Sequence, residues 1–234
     1  GNGAFMVERN RARDLAANLI EVARLAGLPS KALITDMNQP LASNAGNALE
    51  VGEAIDYLRG DYRRPRVAEV VQRLGEEMLT LGGLAVDLAT ARGKMDTVLD
   101  SGLAAEHFAR MVAMQGGPAD LLDRPQKYLV AAPYVRDLTA PTQGCIRDID
   151  TRAVGLSIVG LGGGRKQAGE RIDHRVGLSG FRLVGDMVQV GEPLLTIHAA
   201  DENAWRAAAD QLLDAITIGY KTDALPAVYE LIGN

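Results

Sequence analysis

Apolar residues recur at helical spacing through most of the first half of the chain. Ala12, Leu15, Ala16, Leu19, Ile20 and Ala23 share one face of a segment over 8–26, and Gly27 is placed to end it. Pro29 opens a connection. Residues 31–35 form a short apolar run that predicts a buried strand. The stretch 36–45 is polar and contains Pro40. Asn47, with Glu50 three residues on, reads as a capping box. It predicts a helix over 47–60 with Leu49, Ala54, Ile55 and Leu58 inward. Pro65 is tolerated at a first helical position. From there Val67, Val70, Val71, Leu74, Met78 and Leu81 make one stripe. Two more helices are predicted over 87–100 and 103–115, with Gly102 between them.

After Pro118 the period changes. Residues 127–138 and 144–149 are rich in Val, Ile and Tyr and predict strands. Thr151 predicts the cap of a short helix through Ile158. Over 174–199 the pattern is β again, broken by Gly177, Gly180, Gly185 and Gly191. Asp201 caps a last helix with Trp205, Leu212, Leu213 and Ile216 inward. The fold class is therefore α/β. Residues 1–120 read as part of a mixed α/β sheet domain with packed helices, and 121–234 as a C-terminal α+β lobe.

Composition narrows the class. With 47% hydrophobic and 24% charged residues the 234-residue chain is an ordinary globular one, so disordered and collagenous readings fall away. No apolar run reaches the roughly 18–20 residues that cross a bilayer. The first residues show no basic or apolar leader pattern, and two glycines around small residues resemble a turn inside a domain. Cys145 is the single cysteine, which excludes a disulfide framework and points to a reducing, cytoplasmic setting. A net charge of −5 argues against nucleic-acid partners, and 4% aromatics leaves little to stack bases on.

Candidate chemistry is sparse. Gly160, Gly162, Gly163 and Gly164 precede Arg165 and Lys166. Such a run can turn several N–H groups into one concavity for an anion, or simply form a flexible connection. It matches neither a dinucleotide fingerprint nor a P-loop. His107, His174 and His198 have no metal-ligand spacing, and Cys145 has no local base. Asp148 and Asp150 alternate on a predicted strand and read as a solvated edge. Met78, Met95, Met111 and Met114 read as core filler. The polar loop 36–47 lies beyond the end of a strand and runs into a helix N-terminus, where ligands of α/β sheets bind.

Several spaced blocks resemble one known family. Gly3-Ala4-Phe5-Met6, Thr35-Asp36-Met37-Asn38-Gln39-Pro40-Leu41 and Gly46-Asn47-Ala48-Leu49-Glu50-Val51 are similar to the thymidine phosphorylase / pyrimidine nucleoside phosphorylase family. Asp150-Thr151-Arg152-Ala153, Gly162-Gly163-Gly164-Arg165 and Ile197-His198-Ala199 follow in the same order. The bacterial thymidine phosphorylases look most similar. Family members are about twice this length, so the resemblance implies a C-terminal half.

The resemblance implies phosphorolysis of a pyrimidine deoxynucleoside, with inorganic phosphate as co-substrate and no organic cofactor. It implies no catalytic residue within this chain, because the phosphate loop and the base-gripping side chains belong to the other half. The chain alone is then expected to be inactive. Ala4 and Phe5 match positions that wall the pyrimidine pocket. Leu41, Asn44 and Glu53 match a monovalent-cation site, two through carbonyls and one through a carboxylate. Gly162, Gly163, Gly164 and Arg165 match a cleft-closing loop, expected to be mobile over 162–168 without its ligand. Homodimers form through residues mostly outside this chain. Phosphorolysis of uridine as well as thymidine is the alternative specificity. A lipoyl- or biotinyl-carrier reading of 174–199 would need a modifiable lysine, and there is none between Gln167 and Tyr220. A divided domain should also leave an apolar surface around Phe5, Leu33 and Ile34.

Overall fold

The computed structural model describes residues 1–233. The chain opens with α1 (Arg9–Leu25), β1 (Ala32–Thr35), α2 (Asn47–Arg59), α3 (Pro65–Leu81), α4 (Leu88–Asp100) and α5 (Leu103–Met114). The boundaries follow local chemistry. Gly60 closes α2 in the left-handed region at φ 82°, and Pro65 starts α3. Asp87 caps α4 by accepting the Thr90 N–H at 2.7 Å.

The second part comprises α6 (Pro125–Tyr128), β2 (Tyr134–Thr139), β3 (Gly144–Ile149), α7 (Thr151–Gly160), β4 (Gly177–Ser179), β5 (Met187–Val188), β6 (Pro193–Ala199), α8 (Glu202–Ala215), β7 (Ile216–Gly219) and β8 (Val228–Ile232). Two antiparallel sheets, β2-β6-β4 and β5-β3-β7, enclose the main core. Ile146, Val176, Leu178, Leu195, Ile197 and Leu212 are fully buried there. Asp201 caps α8 through the Ala204 N–H at 2.9 Å.

The structure departs from the sequence reading at several places. The predicted strand over 127–138 begins only at Tyr134, because Pro125 starts a helical turn first. Asp150, not Thr151, caps α7, accepting the Ala153 N–H at 2.9 Å, so Asp150 lies just past β3, while Asp148 and Asp150 are both exposed, in keeping with the solvated reading. Leu213 is turned to solvent rather than inward. Ile216, expected inward on the last helix, is buried but opens strand β7 instead, and β8 carried no expectation. β8 returns to the first lobe and pairs antiparallel with β1, Leu33 facing Leu231. β1 is accordingly half-buried rather than buried, with β8 its single partner among the described residues.

The largest departure is in α3. Leu74 and Met78 of the predicted stripe face solvent, while Gly75, Glu76 and Glu77 are buried. Ion pairs make this possible. Arg92 of α4 donates to Glu76 at 2.6 Å, and Lys31 donates to Glu77 at 2.7 Å. Gly75 lets α4 approach until a Cβ would run into the Met95 side chain. Glu76 and Glu77 are thus buried beside Val70, while Met78 and Leu79 border an apolar groove against Met95 and Val98 of α4.

Candidate functional site at the junction of the lobes

The residues singled out from sequence gather where the two lobes meet. Gly1 and Gly3 are glycines for steric reasons. A Cβ on Gly1 would lie 2.6 Å from the Met37 carbonyl carbon, and one on Gly3 would lie 2.8 Å from Thr151 Cγ2. Gly3 N–H donates to Met37 O at 2.9 Å. Segment 1–6 is thus pressed between the end of β1 and the start of α7. Ala4 and Phe5 sit on it. Phe5 is 94% exposed.

Phe5 stands at the rim of an apolar trough. Leu15, Leu19 and Ile20 of α1 and Leu33 and Ile34 of β1 line its floor and wall. Along the same helix Val22 and Leu25 are exposed, as is Leu28 just beyond it. The apolar surface expected near Phe5, Leu33 and Ile34 is therefore present, and α1 extends it.

Asp36 anchors the loop that follows β1. Its side chain is fully buried. It accepts Arg66 Nη2 at 2.9 Å, Tyr229 OH at 3.1 Å, Asn38 Nδ2 at 2.9 Å and Gln39 Nε2 at 3.3 Å. Gln39 in turn accepts the Val184 N–H at 2.9 Å. One carboxylate thereby ties the loop, α3, β8 and the C-terminal lobe together. Burial, and then the charge of Asp36, push the Tyr229 pKa upward.

Glu53 closes the other end of the loop. Its two oxygens accept the N–H groups of Ser43 and Asn44, each at 2.9 Å. Asn44 and Glu53 are therefore joined at one loop-helix junction, with Leu41 three residues earlier on the same loop. The carboxylate is held in place by these bonds and keeps further lone pairs. Among the described residues no three His, Cys, Asp or Glu side chains gather as metal ligands.

α2 starts at Gly46, whose φ of 140° and lack of a Cβ let it approach Val176 O and Gly177. Ala45 and Leu178 exchange N–H···O bonds at 2.8 Å across this contact. Gly46 takes the capping position assigned to Asn47, and Glu50 accepts the Gly46 N–H at 2.9 Å. Asn47 is released to donate to Gly163 O at 3.0 Å. That bond fixes the front of the glycine run to the first lobe. Gly163 N–H also returns to Ile158 O, which ends α7. Further along, Arg165 Nε donates to Glu170 O at 3.2 Å, and the Lys166 N–H to the Glu170 carboxylate at 2.7 Å.

His198 lies on β6, opposite Val135 on one side and Gly177 on the other. Its Nε2 is 2.8 Å from Ser179 Oγ, and its Nδ1 is buried with no partner. Burial holds its pKa below the ordinary value. The unfolded chain thus binds the extra proton more readily. Stability is complete above about pH 6.5, the usual histidine value, and declines as pH falls from there toward the lowered folded value. Urea midpoints at pH 7.5 and 5.5 should show this, and His198→Gln should reduce the difference. An identical difference in the variant would refute the assignment.

Asn2, Arg66, the pairing of Asp36 with Arg66 and the Ser179–His198 contact were not identifiable from sequence. Each works through partners more than 15 positions away. No spacing rule records that.

Residues 1–105 match the model of the glycosyl transferase family a/b domain, and residues 145–219 match that of the pyrimidine nucleoside phosphorylase C-terminal domain. A thymidine phosphorylase of Burkholderia orbicola (strain MC0-3) is 47% identical over 233 residues, covering 100% of this chain and 53% of that protein. One of Burkholderia cenocepacia (strain HI2424) is 46% identical over 232 residues, covering 99% and 53%. The chain spans about half the length of the curated relatives it matches and corresponds to their C-terminal half.

Proposed function

Because this chain belongs to the thymidine phosphorylase / pyrimidine nucleoside phosphorylase family, we propose that it is the C-terminal portion of an enzyme that converts thymidine and phosphate into thymine and 2-deoxy-α-D-ribose 1-phosphate. In this reaction a phosphate oxygen forms the new bond to C1′ as the bond from C1′ to the base breaks. The electron pair leaves with the pyrimidine, which is then protonated. No covalent nucleophile on the protein is required. Positioning and charge stabilisation supply the catalysis.

The observation that carries this reading is Phe5. A phenylalanine 94% exposed beside an apolar trough is a wall without its opposite wall. In the complete enzyme the other half covers the α1–β1 trough and faces Ala4 and Phe5 across the pyrimidine. The segment that includes Gly162, Gly163, Gly164 and Arg165 closes the cleft when phosphate and nucleoside are bound. The carbonyls of Leu41 and Asn44 and the Glu53 carboxylate contribute three oxygens to a monovalent cation, and the rest of its shell comes from the other half. When bound, the ion supplies fixed positive charge between them. The complete enzyme works as a homodimer in the cytoplasm.

The test is product analysis on the full-length protein. Thymine should appear from thymidine only when phosphate is added. Equal turnover of uridine would shift the assignment to a broader pyrimidine nucleoside phosphorylase. No release from either nucleoside would refute the proposal.

A further inference from the structure

Asn2 makes contacts that segment 1–6 does not need for its own conformation. Its side-chain oxygen accepts the Thr151 N–H at 3.0 Å. Its side-chain nitrogen donates to Ile149 O at 2.8 Å. Its backbone N–H donates to Asn38 Oδ1 at 3.2 Å. Thr151 is the first residue of α7, whose leading N–H groups lack partners inside the helix. Asp150 satisfies Ala153, and Asn2 satisfies Thr151 from 149 positions away. Only a carboxamide offers a donor and an acceptor together at that length. Asparagine therefore grips the turn between β3 and α7 on both sides.

The consequence lies at the two ends of α7. Its first turn is bonded to Asn2, two residues before Ala4. Its last turn passes into Gly162, Gly163 and Gly164, and Asn47 holds Gly163 from the first lobe. We propose that Asn2 is a positioning residue that locks the pocket wall at Ala4 and Phe5 to the first turn of α7, so that the wall keeps its place while the glycine run beyond the helix closes. Its significance for the reaction rests on the phosphorolysis reading. The lock itself does not.

Two measurements separate these. In the 234-residue chain, Asn2→Ala should speed amide exchange at Gly3 and Thr151 by about tenfold, since the Thr151 N–H loses its acceptor and the segment carrying Gly3 loses its tether to Ile149. Exchange in the β2-β6-β4 sheet should not change. Unchanged exchange at Gly3 and Thr151, or a uniform rise everywhere, would overturn the lock. In the full-length enzyme, Asn2→Ala should raise KM for thymidine about tenfold while KM for phosphate stays within about twofold. Asn2→Asp keeps the acceptor for Thr151 but sets an oxygen against Ile149 O, and should be impaired in the same direction. A purely structural role would lower the active fraction and leave both KM values alone, which would overturn the positioning role. If the wild-type full-length protein released no thymine, the functional reading would fall, and the exchange result would still decide the lock.

Discussion

Replacing Asp36 by alanine should cost about 3–5 kcal/mol of stability, the range for removing one partner of a buried ion pair. Arg66 is only 12% exposed at its side chain, and Asp36 is 0% exposed. Without the carboxylate the guanidinium stays buried and uncompensated, and its Nε already has no partner. Tyr229, Asn38 and Gln39 lose their acceptor in the same step. The loss is structural as well as local. Asp36 holds the loop 36–46 against α3, β8 and Val184, so its removal loosens the junction between the lobes. Asp36→Asn keeps the shape and part of the hydrogen bonding but not the charge, and should recover only a fraction. Urea unfolding of the three proteins measures this. A loss below about 1 kcal/mol for Asp36→Ala would contradict the hub assigned to this carboxylate.

The second large effect is expected at Gly177. A Cβ there would meet the Ala45 carbonyl oxygen, Gly46 Cα at 2.9 Å and Leu49 Cδ1 at 3.0 Å. The first two obstacles are backbone, and Ala45 is held by its paired bonds with Leu178. Neither can yield without parting α2 from β4. Gly177→Ala should therefore cost about 3 kcal/mol, the upper range for overpacking a tight contact. Gly75 is the informative contrast. A Cβ there meets only the Met95 side chain, whose thioether can swing aside. Alanine also favours a helix interior over glycine by about 1 kcal/mol. Gly75→Ala should be close to neutral. Thermal midpoints of the two variants, compared with wild type, decide this. Equal effects would show that the Ala45–Leu178 contact is not the tight point.

Much of the helical framework is legible in the sequence because its signals are local. Asp87, Asp201, Pro65 and Gly60 act on residues within one turn, and the predicted helix limits follow them closely. α3 is different. Its hydrophobic period is correct, but the period does not say which face turns inward. Lys31, just before β1, and Arg92 of α4 pair with Glu77 and Glu76 and bury them beside Val70. β8 is short and its partner β1 lies nearly 200 positions away, so no local pattern marks it as a strand. The site divides in the same way. The loop 36–47 and the glycine run are marked by composition. Asn2, and the partners of Asp36 on α3 and β8, show no mark until the fold supplies them.

In the proposed function this chain supplies a pocket wall and a closing element, while the groups that grip phosphate and base lie elsewhere. The most direct test is to incubate the 234-residue chain, at high concentration, with thymidine and phosphate and to measure free thymine. No thymine above the protein-free background is predicted, under conditions in which the full-length protein turns over. Phosphate-dependent release of thymine by the chain alone would contradict the account.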